Sequence, residues 1–343
     1  MGIPKKILIA RTDRLGDVIL STPVIKNLRL YYPKAHIAFI CRPYTQEVLI
    51  GNPYLDEIIV YDKYGKHKSI WGTIKFAWEL KKKKFDLALI LHPTNRMHLV
   101  SFFAAIPRRI GWAKNMDWSL SERLPHTKQE GQKHELEYTL DILRYLKIPV
   151  KDKELFFPVS VEAKKRVDKL LKEADLGVED EFIVIHPSAS CPSKRWPQDY
   201  FSEVIKILQD KLKIKVVVIT SKKEASFAQK ITKQNKVIDF RGRLNISEIG
   251  AILQRASLFI SNDSGPVHIA ASVNTPVISI FGRKDSGLSP KRWKPLGENS
   301  TYLHKDSGCS VCFAHNCKED FICLGKITPQ EVVEKSLLIL NKT

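Results

Sequence analysis

Nowhere do the 343 residues run apolar for the ~18–20 positions that a bilayer-spanning helix needs. The opening Met1-Gly2-Ile3-Pro4-Lys5-Lys6 leads straight into a short apolar strand, with no signal-peptide core or cleavage site, so the expected location is the cytoplasm. Neither a Walker-type loop nor a G-x-G-x-x-G follows an opening strand. That excludes phosphoryl transfer from a P-loop and weighs against a dehydrogenase. Zinc-finger spacing, RNP-like segments and basic-plus-heptad patterns are missing too. Acidic residues are few: 37 Asp+Glu against 56 Lys+Arg leave a net charge of +19. Such a surplus suits nucleic acid, an anionic membrane surface, a phosphorylated substrate, or simply a solvated lysine-rich surface. Because the run Lys81-Lys82-Lys83-Lys84 has no interleaved aromatics to stack on bases, no nucleic-acid partner is expected.

What the sequence does have is an ordinary globular composition, 43% hydrophobic and 27% charged, and a length that suits two domains. Apolar runs of strand length alternate with helical patterns. Ile7–Ala10 is followed by a helical stretch to about Tyr31, then by strands at 36–40, 58–61 and 87–91. The pattern restarts with Phe182–Ile185 and continues at 216–219, 237–240, 258–260 and 277–280. Continuous rather than alternating apolar runs fit strands buried on both faces of a parallel sheet. The expectation is an α/β chain of two doubly wound halves: residues 1–160, residues 161–327, and a C-terminal helix over 328–343 with Thr328 as N-cap and Pro329 at N1. Ligands of such folds commonly bind in the cleft between domains.

Three strand-to-helix loops could carry chemistry. Arg11-Thr12-Asp13-Arg14-Leu15-Gly16-Asp17 follows the first strand. Asp17 reads either as a helix cap or as a functional carboxylate, and spacing alone does not choose between it and Asp13. His186 to Pro197 offers the hydroxyls of Ser188 and Ser190 with the cations Lys194 and Arg195, the chemistry of a phosphate cradle or of a polar surface loop. In Asn262-Asp263-Ser264-Gly265-Pro266-Val267-His268, Pro266 fits N1. Ser264 and Gly265 then present free backbone N–H groups at a helix N-terminus, a ready anion site. Asp263 would repel an anion there, so its expected role is to cap or orient the loop. Glu224, just past the strand ending at Thr220, is placed to accept hydrogen bonds from ribose hydroxyls.

Arg14-Leu15-Gly16-Asp17-Val18 with Thr22-Pro23, then His186-Pro187 with Lys194-Arg195-Trp196-Pro197, then Asn262 through Ala271 occur in one order. In that order they resemble the signature of the ADP-heptose:lipopolysaccharide heptosyltransferases, glycosyltransferase family 9, over residues 5 to about 335. The resemblance implies a GT-B fold, two Rossmann-like doubly wound domains facing across a cleft. It also implies inverting, metal-independent transfer of heptose from ADP-heptose to the lipopolysaccharide inner core. By the same resemblance Asp17, not Asp13, matches the catalytic base. Arg11, Thr12, Ser188, Ser190, Lys194, Glu224, Asp263, Ser264, Gly265 and His268 match donor-binding positions. His92 and Arg96, just past the strand ending at Leu91, are candidates for the acceptor side. No cofactor and no catalytic metal are implied. The partners are the nucleotide sugar, the lipopolysaccharide core and, through the +19 charge, the anionic inner face of the inner membrane. Other readings are a family 9 transferase using another sugar or glycan acceptor, and a non-catalytic nucleotide-sugar-binding module.

Cys309-x2-Cys312-x4-Cys317-x5-Cys323 forms a cluster apart from Cys41 and Cys191. Structural metal, free thiols and redox pairs remain open readings, although a reducing compartment disfavours stable disulfides.

Overall fold

The computed structural model describes residues 2–341. The chain forms two units. The first runs to Gln129 and resumes over Lys133–Pro158; the second takes Glu130–Gln132 and the chain from Val159 onward. Each is built on a six-stranded, all-parallel sheet.

In the first unit β1 (Lys6–Ala10), β2 (His36–Cys41), β3 (Glu57–Val60), β4 (Leu87–Ile90), β5 (Arg108–Trp112) and β6 (Glu122–Leu124) lie in the order β3-β2-β1-β4-β5-β6. In the second, β7 (Phe182–His186), β8 (Lys215–Thr220), β9 (Ile238–Arg241), β10 (Leu258–Asn262), β11 (Val277–Phe281) and β12 (Ser300–His304) lie in the order β12-β11-β10-β7-β8-β9. Counted from its own first strand, the second sheet repeats the order of the first. This is the expected α/β class, a Rossmann-like doubly wound sheet formed twice.

Burial explains the apolar runs. Every residue of β7, β10 and β11 is buried, and of β1 only the leading Lys6 is exposed, so these central strands have no polar face to alternate with. The order reverses between β1 and β4 and again between β7 and β10. Those two switch points open a crevice at the carboxyl ends of the strands, where such sheets bind ligands.

The single helical stretch expected up to Tyr31 is instead two helices, α1 (Leu15–Ile19) and α2 (Thr22–Tyr31). Pro23 has no N–H to offer the carbonyl of Ile19, and the Thr22 hydroxyl donates to that oxygen at 2.7 Å. Further helices used below are α3 (Ile70–Lys83), α4 (Asn95–Phe103), α5 (Glu135–Tyr145), α6 (Val161–Glu173), α7 (Gln198–Leu212), α8 (Gln229–Gln234), α9 (Ile246–Arg255) and α10 (Gly265–Ser272). The C-terminal helix Pro329–Leu340 starts as expected at a Thr328 N-cap, closed by a capping box with Glu331. Its Val332 and Val333 lie in the core of the second unit with Phe201, Val204 and Ile278. Among the described residues no helix is long and apolar enough to cross a membrane.

Candidate functional site

The candidate residues fall into two groups, one at the switch point of each sheet. In the first unit the loop after β1 turns its charges inward. Arg11 is fully buried, and its Nη2 donates to Asp17 Oδ1 at 2.6 Å and to Glu135 Oε1 at 2.9 Å. Its Nη1 donates to the Leu91 carbonyl at the end of β4. Lys128 Nζ donates to the same carbonyl and to Glu135, both at 2.9 Å.

Asp13 Oδ2 lies 2.9 Å from Arg11 Nε without hydrogen-bond alignment, and 3.3 Å from His92 Nδ1. Two cations thus face three carboxyl groups in a buried cluster, one negative charge in excess when all are ionised. The excess falls on Asp13: burial pushes its pKa up to about 6, against the pull of Arg11. Burial likewise holds His92 neutral, well below its ordinary value, with Arg11 and Lys128 adding to the effect. Burial also works against the charge on Arg11, but Asp13, Glu135 and Asp17 more than offset it and raise its pKa.

Asp17 sits at N3 of α1, where its Oδ2 accepts from the Arg14 backbone N–H at 3.1 Å. The cap reading and the functional reading therefore describe the same carboxylate. Thr12, on the same loop as Arg11, is buried. Arg96 donates to the carbonyls of Lys63, His67 and Lys68, tying down the loop that leads into α3.

In the second unit three loops converge on His186 at the end of β7. Ser188 Oγ is 3.1 Å from its Nε2, while Ser261 Oγ at 3.2 Å and Ser264 Oγ at 3.3 Å flank its Nδ1. Burial lowers the His186 pKa to about 4, with Glu224 pulling the other way, so the imidazole is neutral at ordinary pH. Ser188 also donates to Glu224 Oε2 at 3.2 Å, and Ser221 does so at 2.8 Å. Asn262 clamps the loop after β7: its Nδ2 donates to the Pro187 carbonyl at 2.6 Å, and its Oδ1 accepts from the Trp196 N–H at 3.1 Å. Trp196 is fully buried against Phe201 and donates from its indole to the Ile327 carbonyl at 3.0 Å.

Asp263 Oδ2 receives Lys194 at 2.9 Å and Arg283 at 2.7 Å. Burial alone would raise the Asp263 pKa, but these two cations hold it below the ordinary carboxylate value. Lys194 is itself lowered by burial, with Asp263 opposing that shift. Ser264 is the N-cap of α10 and Gly265 its first residue, which puts Pro266 at N2, one place later than expected. That position also needs no N–H partner. His268 is buried on α10.

Residues 73–322 match the family model described as glycosyltransferase family 9 (heptosyltransferase). The chain belongs to that family. It is 30% identical to lipopolysaccharide heptosyltransferase 3 of Escherichia coli K12, over 83% of each chain. It is 25% identical to lipopolysaccharide heptosyltransferase 2 of the same strain, over 96% of this chain and 97% of that one. A solved family 9 glycosyltransferase from Veillonella parvula superposes with a TM-score of 0.89 at 25% identity, over 100% of this chain and 99% of the other. The fold class is accordingly GT-B, and the protein is a glycosyltransferase.

Within this transferase Ser188 joins the His186 network, whereas Ser190 is exposed. Asp13, set apart from Asp17 on motif grounds, shares the Arg11 guanidinium with it. Arg283, Lys128 and Glu135 belong to none of the motifs in the sequence, and His186 stands in one without an assigned role. Arg283 could have been found from its place just past the carboxyl end of the central strand β11, and His186 from its place at the end of β7. Glu135 opens α5, 124 residues from Arg11, and carries no local signal. All six cysteines are unbridged. Cys309, Cys312, Cys317 and Cys323 line a cavity of about 450 Å³ with Lys284 and His304. No set of three or more metal-ligating side chains is assembled to hold an ion among the described residues.

Proposed function

We propose that this transferase moves heptose from ADP-heptose to the inner core of lipopolysaccharide, with inversion at the anomeric carbon and without a divalent ion. The observation that carries the reading is Asp263 shared by Lys194 and Arg283 beside the N-terminus of α10. Two side-chain cations and a helix N-terminus supply positive charge where a diphosphate leaving group develops its negative charge. Glu224, held by Ser188 and Ser221, accepts the ribose hydroxyls, and the neutral His186 keeps the surrounding serines in register. Ser264, Gly265 and His268 complete the donor side.

Asp17 is the general base in this reading. Its Oδ1 is fixed by Arg11 and its Oδ2 by the Arg14 N–H, which leaves a lone pair on each oxygen for the proton of the attacking hydroxyl. The neighbouring Arg11 charge is already balanced by Asp13 and Glu135, so it orients Asp17 without neutralising it alone. The heptose and the lipopolysaccharide acceptor are those in the names of the two E. coli relatives, and the inner core and the adenine follow from the sequence resemblance. The +19 charge suits an enzyme working at the anionic inner face of the membrane, where a lipid-anchored acceptor resides.

The test is transfer by the purified full chain from ADP-heptose to a heptose-deficient core oligosaccharide, read by mass spectrometry with and without EDTA. The new linkage is read by NMR. A mass gain of one heptose, indifferent to EDTA and with inverted anomeric configuration, is the expected result. Donor binding without transfer to any core acceptor would leave only a binding module.

A further inference from the structure

Helix α3 buries Phe76, Ala77 and Leu80 against the first sheet, with Tyr61 and Ile59 in the same core. Its outer face should by the usual pattern be polar. Instead Ile70 is 79% exposed, Trp71 80%, Ile74 40% and Trp78 64%. Positions 71, 74 and 78 follow one another at three- and four-residue steps, so they form one stripe along the helix. A contiguous row of large apolar side chains in water marks an interaction surface.

The charges around the stripe are overwhelmingly of one sign. Lys63, Lys66, Lys68, Lys75 and Lys81–Lys84 lie within or beside α3, with Glu79 the only acidic residue between 63 and 84. Trp78 and Lys82, far from interleaved in sequence, meet on the helix surface, with the ammonium 5.7 Å from the ring centroid. The mount is firm. Ser69 caps the helix by accepting from the Gly72 N–H, Thr73 hydrogen-bonds Tyr61, and Arg96 of α4 holds the preceding loop through three carbonyls.

We propose that the outer face of α3 docks this transferase onto an anionic lipid bilayer, with Ile70, Trp71, Ile74 and Trp78 entering the interface and the flanking lysines meeting the headgroups. An in-plane helix with tryptophan and aliphatic residues on one side and lysines on the other has the composition that binds bilayer surfaces. Three observations choose the occupant. A second copy of the chain would bring a second lysine row against the first, which like-charge repulsion opposes. Nucleic acid would use the tryptophans for stacking but leave Ile70 and Ile74 nothing to do. A bilayer takes the aliphatic residues, the indoles and the lysines together. The inference deepens the reading that the acceptor is lipid-anchored, and it assigns the contact to one helix of the first unit.

The experiment uses the full chain with vesicles of phosphatidylcholine alone and of phosphatidylcholine with one third phosphatidylglycerol, read by co-sedimentation. Trp71→Ser/Trp78→Ser changes only exposed side chains, and its fold is checked by melting temperature. Expected are binding to the anionic vesicles that weakens with salt, a blue shift of tryptophan emission on binding, and at least a tenfold loss of vesicle affinity in the double variant. Lys81→Gln/Lys82→Gln/Lys84→Gln should remove the preference for anionic lipid. Vesicle binding by the tryptophan variant equal to that of the parent overturns the proposal. So does a change in oligomeric state with vesicle binding intact, or a loss confined to single-stranded RNA. Transfer to a lipid-free core oligosaccharide should be the same in parent and variant. If neither transfers while vesicle binding behaves as expected, it is the heptosyltransferase reading that fails and not the docking face.

Discussion

Arg11 Nη2, on the loop after β1, stands 2.6 Å from Asp17 Oδ1 in the first turn of α1, and the same nitrogen reaches Glu135 from α5. The carboxylate proposed as the base is therefore held by a guanidinium that is itself locked from the far end of the unit. Asp17→Asn keeps an acceptor for the Arg14 N–H but cannot take up a proton. Turnover should fall roughly 10²–10⁴-fold while the affinity for ADP stays within about twofold. Single-turnover transfer and calorimetry on the same preparation separate the two. An equal fall in affinity would move Asp17 from the chemistry to the architecture.

Asp13 has the opposite relation to the cluster, since its charge is the one in excess. With a folded pKa of about 6, above the ordinary carboxylate value, the folded chain keeps a proton there that the unfolded chain loses from about pH 4 upward. Protonated Asp13 thus favours the folded state below that range, and the advantage is lost as the pH rises through about 6. Asp13→Asn, a neutral isostere, should gain on the parent in melting temperature as the pH rises from about 4 through 6, with the full gain reached near pH 8. Melting curves across that range decide the matter. A variant less stable at pH 8 would mean that the contact with Arg11 outweighs the cost of burying the charge.

The pairing of Asp263 with two cations separates the roles of Lys194 and Arg283. Lys194→Ala should weaken ADP binding about 10–100-fold, the worth of one charged hydrogen bond, because Arg283 still holds Asp263. Arg283 is almost entirely buried, and Arg283→Ala should cost stability as well, about 3–5 kcal/mol, as a broken buried pair does. Calorimetry with ADP and urea unfolding check the two effects. Unchanged ADP affinity in Lys194→Ala would remove that lysine from the diphosphate.

Gly282 precedes Arg283, and a Cβ built on it would lie 2.6 Å from Leu324 Cγ and 3.0 Å from the Ser193 carbonyl. Gly282→Ala should destabilise the second unit by about 1–3 kcal/mol and weaken ADP binding by displacing its neighbours. In a Leu324→Ala background the same change should cost far less, a coupling that a double-mutant cycle measures. Additive costs would show that the Leu324 contact is not what excludes a side chain there.

How far the sequence could be read depended on burial. The central strands declared themselves because they are buried on both faces. The missed β5 opens with Arg108 and Arg109 and contains Gly111, β6 is three residues long, and β12 is a half-exposed edge strand. A strand that opens on charges, or a short or half-exposed one at a sheet edge, leaves no apolar run to find. The break between α1 and α2 was not read, although Pro23 is its local cause and the hydroxyl of Thr22 makes it tolerable. Asp17, Lys194 and Asp263 were legible as loop residues at the ends of central strands. The partners that tune them, Glu135 and Lys128, come from elsewhere in the chain and become visible only once the sheet is assembled. Likewise the run Lys81–Lys84 looked free of aromatics until the helix turn set Trp78 beside Lys82.

The neutral imidazole at the centre of the second unit has a consequence for how the two halves respond to acid. His186 takes up a proton only near pH 4, so between about pH 7 and 5 the serines around it meet an unchanged partner. Over the same interval the cluster around Arg11 gains a proton on Asp13 and goes from one net negative charge to none. Mild acidification therefore acts differently on the two networks: it rewrites the charge beside Asp17 and leaves the His186 imidazole as it was.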